Sequence, residues 1–233
     1  MALSTAESVE NWKGMGIIMN HSSLLLLEYL SSVIENRSLI TDRHDEHIRR
    51  FTALMLEKIR QFYPDYGLTA ENCREIVMAS AMHDIGKVAI PDKILMKPSR
   101  LTDDEYRLVK NHTKKGKQIF DHILSKMNPE DEDYQLFQYC AEICMCHHER
   151  YDGNGYPGGL KGDDIPISAQ VVGLADAYDS LLSDRLYKSA HTREDAFNMI
   201  VEGDCGVFST RMLEIFRMVR LELEELLEKE KSK

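Results

Sequence analysis

The sequence predicts an all-α protein. Three observations carry this: apolar residues recur at three- and four-residue spacing along most of the chain, helix-start signals precede several such stretches, and prolines and glycines fall where the pattern stops. Leu24, Leu27, Leu30 and Ile34 start a first helical segment. A second is expected from Thr41 to about Tyr63 through Phe51, Leu54, Met55, Leu56 and Ile59, until Pro64, which has no backbone N–H, stops it. Thr69 caps a third, which carries Ile76, Val77, Ala79 and Met82 into His83-Asp84-Ile85-Gly86-Lys87, and Gly86 and Pro91 end its pattern. After a loop with Pro91 and Pro98, Thr102 and Glu105 form a capping box that launches a helix toward His112, and another begins near Lys114. Leu136, Cys140, Ile143 and Cys144 lie on adjacent rows of a helix between Asp131 and His148. A glycine-rich loop follows, helical periodicity resumes over residues 168 to 183, and Thr192 and Ser209 are the caps of the last two helices.

The 233 residues suffice for one medium domain with an appendage and a substantial core. A composition 43% hydrophobic and 29% charged is that of a packed globular protein. Asp and Glu number 39 against 29 Lys and Arg, a net charge of −10, which opposes binding to a nucleic acid polymer or an anionic membrane. Positive charge for an anionic substrate must therefore be local. The longest uncharged stretch, Gly14 to Leu27, is too short and too polar to insert into a membrane, and Glu7 and Glu10 do not fit a secretory leader. Five cysteines without an even framework suit a reducing, cytoplasmic setting, with Cys140 and Cys144 as buried structural thiols.

Among nine histidines, His47, His83 with Asp84, His112, and His147 with His148 stand at helix ends or beside acids, and Asp176 joins them from a later helix. Imidazoles and carboxylates on separate helices of a bundle can converge on divalent ions. One tetrahedral ion needs about four donors, so five imidazoles and two carboxylates suggest two ions sharing a bridging group. Neighbouring residues on a helix point about 100° apart, which lets His83 and Asp84 serve different ions. His21, His122 and His191 are read as ordinary core or surface residues.

The strings His83-Asp84-Ile85-Gly86-Lys87, Ile90-Pro91-Asp92, His147-His148-Glu149, Asp152-Gly153-Asn154-Gly155-Tyr156-Pro157, Asp176-Ala177-Tyr178-Asp179 and Arg185 with Tyr187-Lys188 occur in order. On these the chain, over about residues 43 to 217, resembles the HD-GYP class of the HD phosphohydrolase superfamily. The resemblance implies an HD-superfamily helical bundle with an N-terminal helical extension: a linker over residues 1–40 and a catalytic domain over 41–233. It implies hydrolysis of cyclic di-GMP to linear pGpG, and slowly to GMP, by hydroxide formed at two divalent metal ions, iron or manganese. His47, His83, Asp84, His112, His147, His148 and Asp176 are then the ligands, with Asp84 as the bridge. Lys87 corresponds to a lysine on the scissile phosphate, Arg185 and Lys188 to further phosphate contacts, and Tyr156 to a substrate-binding residue. Five of the 13 glycines fall between Gly153 and Gly162, and the resemblance makes that loop a lip beside the metals. In this family an upstream sensor or receiver domain would join ahead of residue 40. Leu27, Leu30 and Ile34 make a stripe there that predicts a homodimer, the alternative being packing on the domain's own core.

The chain departs from the family in places. Arg43 stands where three-metal members carry a Glu one turn before the histidine at His47; it is expected either to point its cation at the site or to pair with Asp42 or Glu46 on the surface. His44 is the weaker substitute ligand. Gln170, Leu186 and Phe208-Ser209-Thr210 replace Arg, Pro and Phe-Asp-Pro. Three functions remain open on the sequence: a cyclic di-GMP phosphodiesterase, a binding module that keeps the fold with little activity, and a hydrolase of another cyclic dinucleotide.

Overall fold

A computed structural model describes residues 27, 29–34, 43–183 and 190–231, and among these every regular element is helical. The helices are α1 (His44–Phe62), α2 (Ala70–Ser80), the short α3 (Asp92–Leu95), α4 (Asp103–Lys110), α5 (His112–Leu124), α6 (Tyr134–Cys146), α7 (Ile167–Leu182), α8 (Arg193–Glu202) and α9 (Thr210–Lys231), with single 3-10 turns at Pro64–Tyr66, Ile85–Ala89 and Gly162–Asp164. The fold is all-α. Helix α1 packs on α2, α7 and α9, while α6 packs on α2, α5 and α7, so α1, α6 and α7 surround a common centre. Their inward rows supply the core: Ile48, Phe51, Met55 and Ile59 from α1, Cys140, Ile143 and Cys144 from α6, and Val171, Leu174 and Tyr178 from α7 are buried. Phe51, Tyr178, Phe216 and Phe197 touch in succession and carry that core to α9 and α8.

The local signals act as their chemistry predicts. Thr69 Oγ1 accepts from Asn72 N at 3.0 Å, and Asn72 Oδ1 accepts from Thr69 N, closing a capping box at α2. Thr102 and Glu105 do the same at α4. Thr192 and Ser209 accept from Asp195 N and Met212 N at the starts of α8 and α9. The expected helix through His83 and Asp84 is shorter: α2 stops at Ser80, and both residues lie on the turns before the 3-10 segment. Past that stop Gly86 packs its backbone on the start of α5, where a Cβ would fall 1.9 Å from the carbonyl oxygen of His112.

Leu27 and Ile34 are 5% and 6% exposed and belong to the main core, while Tyr29, Leu30 and Val33 face outward. Two residues of the stripe thus pack on the domain itself. No described helix is long and apolar enough to cross a membrane.

Candidate metal centre

Four helix ends and one helix face deliver the donors. His44 opens α1, His83 and Asp84 follow α2, His112 opens α5, His147 and His148 follow α6, and Asp176 faces inward from α7. Gly173 lets the last two meet: a Cβ on it would lie 2.3 Å from His147 O, so α7 runs backbone to backbone against the end of α6.

The donors form two groups. His112, His147 and His148 make one, and His44, His83 and Asp176 the other, each with donor atoms within 4.8 Å of one another. Asp84 lies between them, with Oδ1 3.2 Å from His112 Nε2 and Oδ2 3.4 Å from His83 Nε2. His47 is in neither group; its Nδ1 donates to Asp179 Oδ1 at 2.6 Å and its ring is stacked on Phe51. Arg43 is exposed at the N-cap of α1, with φ −133° and ψ 7°, and its carbonyl accepts from His47 N at 2.9 Å. Arg185 and Lys188 lie outside the described residues.

Hydrogen bonds fix which nitrogen each imidazole presents. His83, His112 and His147 donate through Nδ1 to the carbonyls of Ser80, Val109 and Ile143 at 2.9, 2.7 and 2.9 Å, and His44 donates through Nδ1 to Asp179 Oδ2 at 2.6 Å. A carbonyl or carboxylate only accepts, so the proton is on Nδ1 and each Nε2 lone pair points inward. Nε2 of His44 and His83, and Nε2 of His112 and His147, then face each other at 3.4 Å, a spacing that a proton or a metal ion between them would bridge. Two bonds of about 2.1 Å meeting at a tetrahedral angle subtend about 3.4 Å. Asp84 Oδ1, moreover, is buried and makes no hydrogen bond. The residues fit divalent metal ions on geometry and on donor chemistry.

The electrostatics agree. Burial lowers His147 to about 3, helped by His83 and His112, and burial lowers His112 and His148 as well, so the first group stays neutral and keeps unprotonated ring nitrogens for a metal. Burial also opposes charge on His83, but Asp84 and Asp176 outweigh it and raise the group to about 9, leaving a proton where a cation would otherwise stand. Burial works against ionised Asp84 too, yet Lys87, His83 and His112 hold its carboxyl well below the usual range. Lys87 is ion-paired with Asp84 Oδ2.

Beside the first group lies the glycine loop. Glu149 accepts from Gly158 N at 2.6 Å and Leu160 N at 3.0 Å, folding the loop back on α6. Tyr156 is thereby stacked on His148, ring centroids 4.6 Å apart, and Lys110 Nζ stands 4.9 Å from the Tyr156 ring and 4.6 Å from that of Tyr106. Arg150 donates to His147 O, Glu149 O and Cys205 O and anchors the same corner. Asp179, Lys110, Glu149 and Arg150 were given no role in the site by the sequence; Asp179 and Glu149 carried a signal as members of the strings Asp176-Ala177-Tyr178-Asp179 and His147-His148-Glu149, Asp179 also through its three-residue spacing from Asp176 on one helix face. The cysteines provide no zinc cluster among the described residues: Cys140, Cys144 and Cys146 are buried, burial pushes all three thiols up, and Cys144 Sγ donates to Met82 O at 3.0 Å.

Several known proteins are similar to this chain over most of its length. A cyclic di-GMP phosphodiesterase of Thermotoga maritima is 36% identical over 207 residues, which are 89% of this chain and 52% of that protein. A 3'3'-cGAMP-specific phosphodiesterase of Vibrio cholerae is 34% identical over 197 residues, 84% of this chain and 35% of its own. The chain therefore spans about half of the first relative and about a third of the second. A solved HDG"Y"P protein, Bd1817 from Bdellovibrio bacteriovorus, superposes with a TM-score of 0.55 at 18% identity, over 81% of this chain and 54% of that one, and shows the same fold. The family model described as HD domain matches residues 35–205, which include both donor groups and the glycine loop, and the chain belongs to the HD domain family.

Proposed function

We propose that the chain is a metal-dependent cyclic dinucleotide phosphodiesterase that opens cyclic di-GMP to linear pGpG, acting in the cytoplasm. The observation that carries this is the Asp84 carboxylate, one oxygen toward each of two imidazole groups whose Nδ1 atoms are already committed. His83, Asp84, Asp176 and an imidazole from α1, His47 by family position, would hold one divalent ion, and Asp84, His112, His147 and His148 a second. Mixed imidazole and carboxylate donors suit iron or manganese better than magnesium. Bound there, two such ions supply Lewis acidity that activates water and offsets phosphate charge.

The chain's own groups do the rest. The carbonyls behind His83, His112 and His147 hold each ring in one tautomer and orientation. Lys87 brings an ammonium to the rim beside Asp84, placed to meet the charge that develops on the scissile phosphate. Tyr156 on His148, with Lys110 above it, forms a flat wall with a cation, suited to a substrate carrying bases and phosphates. Arg185 and Lys188 are further phosphate contacts in this proposal, and an upstream sensor or receiver domain and a homodimer belong to it as well.

The test is anaerobic metal analysis of the purified chain together with hydrolysis of cyclic di-GMP and 3'3'-cGAMP. Two ions per chain and pGpG appearing before GMP are expected. Full metal occupancy without turnover would replace the enzyme by a binding module. Faster turnover of 3'3'-cGAMP would transfer the assignment to the second substrate, which the name of the Vibrio relative favours.

A further inference from the structure

We propose that His44 is the imidazole through which α1 holds the metal ion at His83 and Asp176, and that His47, the residue in the family position, is a positioning group sharing Asp179 with it. This rests on the reading of the centre as a metal centre. His44 Nε2 lies 3.4 Å from His83 Nε2 and 3.7 Å from Asp176 Oδ1, spacings that ligand bonds of about 2.1 Å span at angles of about 110° and 125°. The three residues supply two nitrogens and an oxygen, a set for a divalent transition metal.

The same carboxylate addresses both α1 histidines. Asp179 Oδ2 accepts from His44 Nδ1 and Asp179 Oδ1 from His47 Nδ1, each at 2.6 Å, and the Asp179 side chain is 1% exposed. A carboxylate behind a ligating imidazole fixes its tautomer and strengthens its lone pair. For His44 that lone pair faces the donor group. His47, its side chain 14% exposed against 6% for His44, lies flat on Phe51 with ring planes 12° apart, and its contact with Asp179 holds the carboxylate in place for His44.

Local structure explains the exchange. Helix α1 begins at His44, so His44 and His47, three residues apart, share its inward face. On the opposing face of α7, Asp176 and Asp179 have the same spacing, so the two histidines share Asp179 through Nδ1 and His44 in addition faces Asp176 through Nε2. The rival explanation is a structural cluster of two histidines on one buried acid. That arrangement does not account for Asp176, whose Oδ1 stands 3.7 Å from His44 Nε2, outside hydrogen-bond reach but within the span of two ligand bonds.

The experiment titrates Mn2+ alone into the metal-free full chain and its His44→Ala, His44→Gln and His47→Ala variants, with stoichiometry read by elemental analysis after dialysis and pairing of the ions by electron paramagnetic resonance. His44→Gln retains an amide donor for Asp179 and serves if the alanine variant does not fold. Wild type is expected to bind two coupled ions. His44→Ala and His44→Gln should keep one, with affinity for the other reduced about 100-fold or more, and free imidazole should restore part of it to His44→Ala. His47→Ala should keep both, weakened about 10-fold. Two ions held at wild-type affinity by both His44 variants, or the larger loss on removing His47, would overturn the proposal while leaving the metal centre standing. Absence of Mn2+ binding in wild type would overturn both.

Discussion

Replacing Gly173 by Ala pits helix propensity against tertiary contact. Inside α7, Ala is intrinsically favoured over Gly by about 1 kcal/mol, so a helix judged alone would gain stability. The added methyl would lie 2.3 Å from His147 O and 3.2 Å from the His147 carbonyl carbon. Ordinary contact begins near 3.4 Å, so the end of α6 must withdraw from α7 by about 1 Å. Overpacking of a rigid site costs about 3 kcal/mol, and after the propensity gain a net loss of about 2 kcal/mol remains, a fall in Tm of about 4–8 °C for a chain of this size. The same displacement separates His147 from Asp176, so affinity for Mn2+ should drop about 10- to 100-fold. Thermal unfolding of the metal-free chain and a metal titration measure the two effects. A raised Tm with unchanged Mn2+ binding would show that α6 and α7 do not meet as described.

Asp84→Ala removes the carboxylate between the two imidazole groups and should lower bound metal and cut turnover about 1,000-fold or more while the helices stay folded; metal analysis with circular dichroism checks it, and retained metal and turnover would place the site elsewhere. Lys87→Ala should instead keep the metal and slow hydrolysis about 100- to 1,000-fold, and equal metal loss in both variants would refute that division of roles. In the metal-free chain burial opposes ionised Asp179, but the hydrogen bonds from His44 and His47 prevail and bring it down to about 2. A depressed acid stabilises the fold fully above its unfolded value, near pH 4, and loses this as pH falls through about 2, here about 2 kcal/mol. Asp179→Asn should flatten that acid limb in unfolding measured from pH 5 to 2, and an unchanged limb would count against the shared hydrogen bonds.

By itself the sequence determined what depends on near neighbours in the chain. Thr69, Thr102, Thr192 and Ser209 cap helices because a hydroxyl three residues ahead of a free N–H is a local arrangement, and spaced apolar residues set which face of each helix turns inward. Imidazoles and carboxylates at expected helix ends and beside one another marked candidate donors for the same reason, and the family resemblance named the set, with His44 only as the weaker substitute. Tertiary structure decided what those ends meet. Gly86 looked like a helix stop, and only the packing against His112 shows that its missing side chain admits the start of α5. Leu27, Leu30 and Ile34 formed a stripe that predicted a second copy, with the domain's own core as the alternative, and the fold buries Leu27 and Ile34 in that core while Leu30 faces outward. Periodicity placed His44 and His47 on one face of α1 without distinguishing them, because two residues on one face differ in function only through what lies opposite. The spacing of Asp176 and Asp179 on α7 made that distinction, giving His44 the inward lone pair and His47 the supporting hydrogen bond.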